Sequence, residues 1–96
     1  MIQIRQTMEF ADWFSKLRDR NAQKRIQARI DRMEIGNLGD CEPIGHGISE
    51  ARIHYGAGYR IYFIQRDKIL IVLLVGGDKS TQRRDIARAI KLAEGL

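Results

Sequence analysis

The feature that most constrains the fold of this chain is a run of seven consecutive apolar residues, Ile69 to Val75. A run of this length is typical of a β-strand covered on both faces, and it is far shorter than the roughly 20 residues that a membrane-spanning helix needs. Gly76 and Gly77 follow at once, and glycines of this kind end or bend a strand. The sequence therefore predicts a sheet with Ile69 to Val75 as its central strand.

Two further strands are expected to precede the central one in an antiparallel meander. Residues 48 to 55 alternate between apolar and polar side chains, the pattern of a strand with one buried face. Residues 56 to 58 form a glycine-rich hairpin, and residues 59 to 65 are mostly β-branched or aromatic. Ile2 and Ile4 predict a short strand at the start of the chain. The stretch from 36 to 47 contains the only proline and is expected to be a connection, either irregular or with one short strand.

Three segments carry the spacing of amphipathic helices. Their apolar positions are Phe10, Trp13, Phe14 and Leu17 in the first, Ala22, Ile26, Ile30 and Met33 in the second, and Ile86, Ala89, Ile90 and Ala93 in the third. Thr7 is suited to cap the first helix, and Ser80 or Thr81 the last. The predicted order is β-α-α-β-β-β-α. This is an α+β fold in which a helical hairpin packs on one face of a small, twisted, mostly antiparallel sheet, leaving the other face partly open.

Composition narrows the classes of function. The 96 residues suffice for one domain, spanning residues 1–96. Seventeen Lys and Arg residues against twelve Asp and Glu residues give a net charge of +5, which favours a polyanionic partner such as nucleic acid. Cys41 is the only cysteine and His46 has no partner at ligand spacing, so neither a disulfide framework, nor a metal site, nor a cofactor is predicted. With no secretory signal at the N-terminus, the cytoplasm is the expected location.

A row of side chains suited to acid–base chemistry is expected on one face of the alternating strand. Two-residue spacing projects Glu50, Arg52 and His54 from the same side, about 6.5 to 7 Å apart. Cleavage of RNA by its own 2′-hydroxyl needs a base, an acid and a cation for the phosphorane charge, and these residue types provide them. Arg60 and Lys79 add two cations that can reach the same area. The same row also fits a solvated strand face with a cross-strand ion pair.

Other residues are candidates for contact with RNA. Tyr55 and Tyr62 lie in the same hairpin, where an exposed tyrosine can stack on an unpaired base, although tyrosines at such positions commonly pack at the edge of a core. Arg83, in the first turn of the last helix, is a third candidate. The segment from Lys16 to Arg32 carries seven basic and two acidic residues, which fits either a phosphate-facing surface or a solvated helix face.

Two stretches, Gly45 to Phe63 and Leu74 to Gln82, resemble the RelE/ParE superfamily of type II toxin–antitoxin toxins, in particular its HigB-like branch of addiction module killer proteins. The likeness extends over nearly the whole chain. It implies a toxin that cleaves mRNA in the ribosomal A site without a metal. It also implies a cognate antitoxin encoded by the adjacent gene, usually a helix-turn-helix protein, with operator DNA bound only through the toxin–antitoxin complex and no membrane partner.

The resemblance also implies roles for individual residues. Arg52, Arg60 and Lys79 match cationic positions that contact the scissile phosphate in RelE-like toxins. Many RelE-like enzymes have a catalytic tyrosine near the C-terminus, whereas this chain has none after Tyr62, so the base is assigned to His54 or Glu50. Two alternatives stay open: a ParE-like toxin that has the same fold but inhibits DNA gyrase, and a relic that survives only as an antitoxin partner. The acid–base row and Lys79 favour the nuclease.

Overall fold

The computed structural model describes residues 1–96 and contains three α-helices and one five-stranded sheet. In chain order the elements are β1 (Gln3–Gln6), α1 (Met8–Ser15), α2 (Arg20–Glu34), β2 (Cys41–Gly45), β3 (Ile48–Ile53), β4 (Tyr59–Arg66), β5 (Leu70–Gly77) and α3 (Gln82–Glu94). The predicted α+β fold with its helical hairpin is confirmed, with one correction. The connection between 36 and 47 contains β2, so the order is β-α-α-β-β-β-β-α. No helix is long and apolar enough to cross a membrane.

The strands lie in the order β1-β5-β4-β3-β2. β1 runs parallel to β5, and the other neighbouring pairs are antiparallel. β5, the predicted central strand, is hydrogen-bonded on both edges, and its side chains enter the cores on both faces of the sheet, which fits its continuous apolar sequence. A parallel pair needs a long connection between its strands, and the whole of the chain between β1 and β5 provides it.

Side-chain caps fix where the first two helices begin. The Thr7 hydroxyl accepts a hydrogen bond from the backbone N–H of Phe10 and donates one to the carbonyl of Leu74, 2.6 Å away. One side chain thus caps α1 and ties its first turn to β5. The carboxylate of Asp19 caps α2 by accepting from the N–H groups of Asn21 and Ala22.

The two faces of the sheet carry separate cores. Strand residues alternate between them: in β4, Ile61 and Phe63 belong to one core, whereas Tyr62 and Ile64 belong to the other. The first core lies under α1 and α2, and we call this side of the sheet the hairpin face. The second, smaller core includes Ala89 of α3, and we call this side the α3 face. The side predicted to be partly open is therefore the one that α3 covers.

Gly76 and Gly77 are the last two residues of β5, and they lie between the two helical layers. A Cβ atom on Gly76 would overlap the ring of Trp13 in α1, and a Cβ atom on Gly77 would overlap the carboxylate of Asp85 in α3. The predicted end of the strand at this pair is confirmed, because β5 ends at Gly77. The glycines also let both helices approach the strand closely.

Candidate active site

A buried carboxylate, Glu50, organises a polar cluster on the α3 face. Glu50 is only 3% exposed. Its Oε1 atom accepts a hydrogen bond from Arg60 Nη1 at 2.8 Å and lies 3.6 Å from Arg52 Nε, while Oε2 accepts from Gln82 Nε2 at 2.9 Å. We call these four residues the Glu50 cluster. It joins β3, β4 and the first turn of α3.

The two arginines of the cluster lie side by side. Arg52 and Arg60 are directly opposite each other in the β3–β4 register, a placement in which like charges repel. The Glu50 carboxylate offsets that repulsion because it contacts both side chains. Arg52 also forms an ion pair with Glu42 of β2, and this hydrogen bond raises the pKa of Arg52. The Arg52 and Arg60 side chains remain 27% and 14% exposed, and the Nε atom of each is buried without a hydrogen-bond partner.

The placement of Tyr62 rules out the predicted contact with a base. Tyr62 has no exposed surface, because α3 covers this part of β4. It lies opposite Glu50 in the register, and no hydrogen bond of ordinary geometry reaches its hydroxyl. Burial raises the pKa of Tyr62, and the nearby Glu50 carboxylate acts in the same direction. The assignment of Tyr62 to RNA binding is therefore wrong.

His54 does not continue the row formed by Glu50 and Arg52. β3 ends at Ile53, so the two-residue spacing no longer applies at position 54. The His54 ring is exposed, and its Nε2 atom lies 2.5 Å from Asp40 Oδ2. That hydrogen bond lowers the pKa of Asp40. His54 lines a shallow depression formed mainly by α2, so the prediction of one continuous row is wrong for this residue.

Tyr55 also lies against α2. Its hydroxyl donates a hydrogen bond to Asp19 Oδ2 at 3.0 Å, and the guanidinium carbon of Arg25 sits 4.5 Å from the centre of its ring. Tyr55 therefore shares a surface with the basic helix and lies away from the Glu50 cluster.

Two further predicted cations are exposed near the start of α3. Lys79 belongs to a 3-10 turn, and its backbone N–H donates to the carbonyl of Ala57 in the β3–β4 turn. Gly77, two residues earlier, pairs with Arg60 in the sheet, so Lys79 lies at the same end of the sheet as that arginine. Arg83 follows Gln82 in α3, and no carboxylate lies within 4.0 Å of either Lys79 or Arg83.

Three residues that shape the site were not identified from the sequence: Asp40, Glu42 and Gln82. Each acts through a partner distant in sequence, and the contact between Gln82 and Glu50 spans 32 positions. No spacing rule connects such pairs, because their proximity arises from the sheet and from the docking of α3. The structure brings together no group of three or more His, Cys, Asp or Glu side chains able to hold a metal ion.

The chain belongs to a known family. The family model described as "Phage derived protein Gp49-like (DUF891)" matches residues 12–95. An uncharacterized protein of Haemophilus influenzae is 47% identical over 95 residues, which cover 99% of this chain and 96% of that protein. A chain of the intact E. coli RelBE toxin–antitoxin complex matches with a TM-score of 0.67 and 10% identity, covering 81% of this chain and 96% of that chain. At that identity the match shows the fold, and the fold is the RelE-like one that the resemblance implied.

Proposed function

We propose that this chain is the toxin of a type II toxin–antitoxin pair and acts in the cytoplasm as a metal-free endoribonuclease. Its substrate is mRNA on the ribosome, as in the HigB-like branch that the sequence resembles. The observation that carries the proposal is the pair of guanidinium groups that Glu50 holds together on the α3 face. Membership in the Gp49-like family and the RelE-like fold support it.

The arginine pair suits the charge that develops during RNA cleavage. When the 2′-hydroxyl attacks the adjacent phosphate, the phosphorane carries more negative charge than the ground state. Arg52 and Arg60 would donate to the two non-bridging oxygens, because the geometry of a guanidinium group matches that of a phosphate. In this proposal Lys79 contacts the phosphate or protonates the leaving 5′-oxygen, and Arg83 binds the neighbouring backbone.

Glu50 has a positioning role in this proposal and is not the base. Its side chain is 4% exposed and already accepts hydrogen bonds from Arg60 and Gln82, so a 2′-hydroxyl has no path to it. His54 is the accessible group that can take the proton. The carboxylate of Asp40 on its ring nitrogen orients the imidazole and stabilises the imidazolium that forms.

The proposed partner is a cognate antitoxin of the helix-turn-helix type, through which the pair binds operator DNA. Arg52, Arg60, Lys79 and Arg83 lie together near one end of the sheet, and an acidic segment of the antitoxin would block the site by covering them. That a chain of the RelBE toxin–antitoxin complex shares this fold supports such a partner.

The proposal is tested by expressing the chain briefly in bacteria and mapping new mRNA 5′ ends within minutes. The variant is Arg60→Ala, and the matched control is Arg66→Ala, at the exposed end of the same strand. We expect new ends inside coding regions for the unmodified chain and for Arg66→Ala, and none for Arg60→Ala. Growth arrest with intact mRNA and altered plasmid supercoiling would assign the chain to gyrase inhibition instead. Unimpaired growth with the unmodified chain would indicate a relic.

A further inference from the structure

The exposed side of α2 is strongly basic and lies across the sheet from the Glu50 cluster. Ile26, Ile30 and Met33 of α2 belong to the core of the hairpin face. The Glu50 cluster lies on the opposite side, where Tyr62 of β4 joins the core under α3. The outer side of α2 therefore faces away from Arg52 and Arg60, and its depression reaches the proposed site only at His54.

The cations of this helix are free of carboxylate partners. Lys24, Arg25 and Arg32 are exposed, and none has a carboxylate oxygen within 4.0 Å. Asp31 is one of only two acidic residues in α2, and its carboxylate accepts a hydrogen bond from Gln27. Helix faces that carry charge only for solubility mix both signs and form i,i+4 ion pairs. The outer face of α2 departs from that pattern.

Arg29 differs from its basic neighbours. It is buried, and its guanidinium donates to the backbone carbonyls of Asp40 and Arg52 at 3.3 and 2.7 Å. Burial lowers the pKa of Arg29. This arginine ties α2 to the sheet, so the ligand surface consists of the exposed cations.

A shallow groove runs along these cations. Two depressions share Arg25 and Ala28: one continues to Lys24 and Tyr55, and the other to Arg32 and to His54 just after the end of β3. We call the combined surface the α2 groove. From Lys24 to Arg32 the helix rises about 12 Å. That length is enough to place the exposed cations beside successive phosphates of one strand.

The stacking of Arg25 on Tyr55 adds a second recognition element. The ring holds the guanidinium over its face, with 4.5 Å between guanidinium carbon and ring centre. A guanidinium group held in this way offers a flat surface on which an unpaired base can stack, and its N–H groups still reach phosphate. The groove therefore combines point charges with a stacking plane, both of which suit RNA.

We infer that the α2 groove is a second binding surface for the phosphodiester backbone of RNA, which adjoins the cleavage site at His54 and extends away from it along α2. The inference rests on the proposed function, because mRNA on a ribosome is surrounded by RNA that is not cleaved. Contacts through α2 would hold the toxin there while Arg52 and Arg60 act on the message.

The test measures binding of a mixed-sequence 2′-O-methyl RNA hairpin to the purified chain at several salt concentrations. This RNA lacks the attacking 2′-hydroxyl, so binding is measured whether or not the chain cleaves RNA. The groove variant carries Lys24→Gln, Arg25→Gln and Arg32→Gln. The control removes the same charge from exposed positions elsewhere, with Arg66→Gln, Lys68→Gln and Lys91→Gln.

The groove variant is expected to bind at least tenfold more weakly at low salt, whereas the control stays within about threefold of the unmodified chain. The slope of log K against log salt should fall by about 2 in the groove variant, since each phosphate contact contributes about 0.7. Circular dichroism verifies that both variants are folded.

Equal weakening in the two variants would overturn the inference, because net charge alone would then explain binding. Unchanged RNA binding by the groove variant would overturn it as well. The same measurement with duplex DNA is a further check: a groove variant that lost binding to the DNA but kept binding to the RNA would also overturn the inference. Failure of the proposed function looks different: the unmodified chain would leave cellular mRNA intact, whatever the hairpin experiment gives.

Discussion

The two faces of the sheet bury their residues in different ways. On the hairpin face the core consists of eleven apolar residues from the helices and strands. On the α3 face a core of six sits beside two buried carboxylates, Glu50 and Asp85, and two half-buried arginines. Removing charges from water is costly, and apolar side chains of similar volume are commonly as stabilising as a buried ion pair. The buried charge on the hairpin face, Arg29, donates to backbone carbonyls, whereas the α3 face groups charged side chains around Glu50, where we place the cleavage chemistry.

The largest loss of stability is expected when the carboxylate of Glu50 is removed. Glu50→Ala leaves Arg60 and Gln82 without their acceptor in a poorly hydrated position. Breaking a buried ion pair costs about 3 to 5 kcal/mol, and we expect a loss of that size in the free energy of unfolding measured in urea.

The matched control is Glu42→Ala, which removes the other carboxylate bound to Arg52. Glu42 is 63% exposed, and pairs of this kind contribute at most about 1 kcal/mol. If the two variants unfolded at the same urea concentration, Glu50 would not be the residue that holds the cluster together.

A smaller loss of stability is expected from substitutions at Gly76 and Gly77, because each glycine is packed against a helix on a different face of the sheet. Gly76→Ala forces Trp13 away on the hairpin face, and Gly77→Ala forces Asp85 away on the α3 face. Overpacking of this kind costs about 1 to 3 kcal/mol, occasionally more. Only Gly76→Ala should change the tryptophan fluorescence of the folded chain, since Trp13 is the only tryptophan.

Gly95→Ala is the control for the glycine pair, because a Cβ atom there meets only ordinary contact with the Leu92 carbonyl, at 3.6 Å. Its melting temperature should stay close to that of the unmodified chain. Equal stability of Gly95→Ala and the two β5 variants would contradict the close packing of both helices on the strand.

A still smaller effect is expected at Tyr62. Its hydroxyl is buried without a hydrogen bond, so Tyr62→Phe removes an unsatisfied polar group and leaves the ring in place. The free energy of unfolding should stay the same or increase. A decrease of about 1 kcal/mol or more would indicate that the hydroxyl donates to Glu50 and belongs to the cluster.

The smallest effect on stability is expected from the exposed ion pair between Glu9 of α1 and Arg88 of α3. Arg88 Nε donates to both Glu9 oxygens, at 2.8 and 3.0 Å, and this lowers the pKa of Glu9 from its ordinary 4.5. A carboxyl with a lowered pKa stabilises the fold above its unfolded pKa and loses that contribution as the pH falls through its folded pKa.

The unmodified chain should therefore be slightly more stable than Arg88→Gln at pH 7, and the difference should vanish as the pH falls well below 4.5. Thermal melts of the two proteins between pH 7 and pH 3 measure it. A difference that does not shrink between pH 7 and pH 3 would show that Arg88 stabilises the chain by packing and not by its charge.

Most of the secondary structure follows from local patterns. The helical spacing in α1, α2 and α3 and the apolar run of β5 are each read within one segment, and the structure contains all of these elements. β2 is harder to predict because Glu42, Pro43 and Gly45 give it little strand character. Its pairing with β3 depends on a neighbour that already lies in the sheet.

The candidate site is predicted only in part, for a similar reason. Glu50, Arg52 and Arg60 follow from two-residue spacing and hairpin register, and they do meet. The spacing does not reveal that β3 ends one residue before His54, or that α3 covers Tyr62. The role of Glu50 as a buried acceptor depends on Gln82, whose position is set by the docking of α3.

The most direct test of the central claim is the rate at which the purified chain cleaves mRNA on programmed ribosomes. Removing one transition-state donor typically costs a factor of about 100 to 1,000, so Arg60→Ala should lose activity by that factor while Arg66→Ala cleaves at the rate of the unmodified chain. If folded Arg60→Ala cleaved as fast as the unmodified chain, the α3 face would not be the active site.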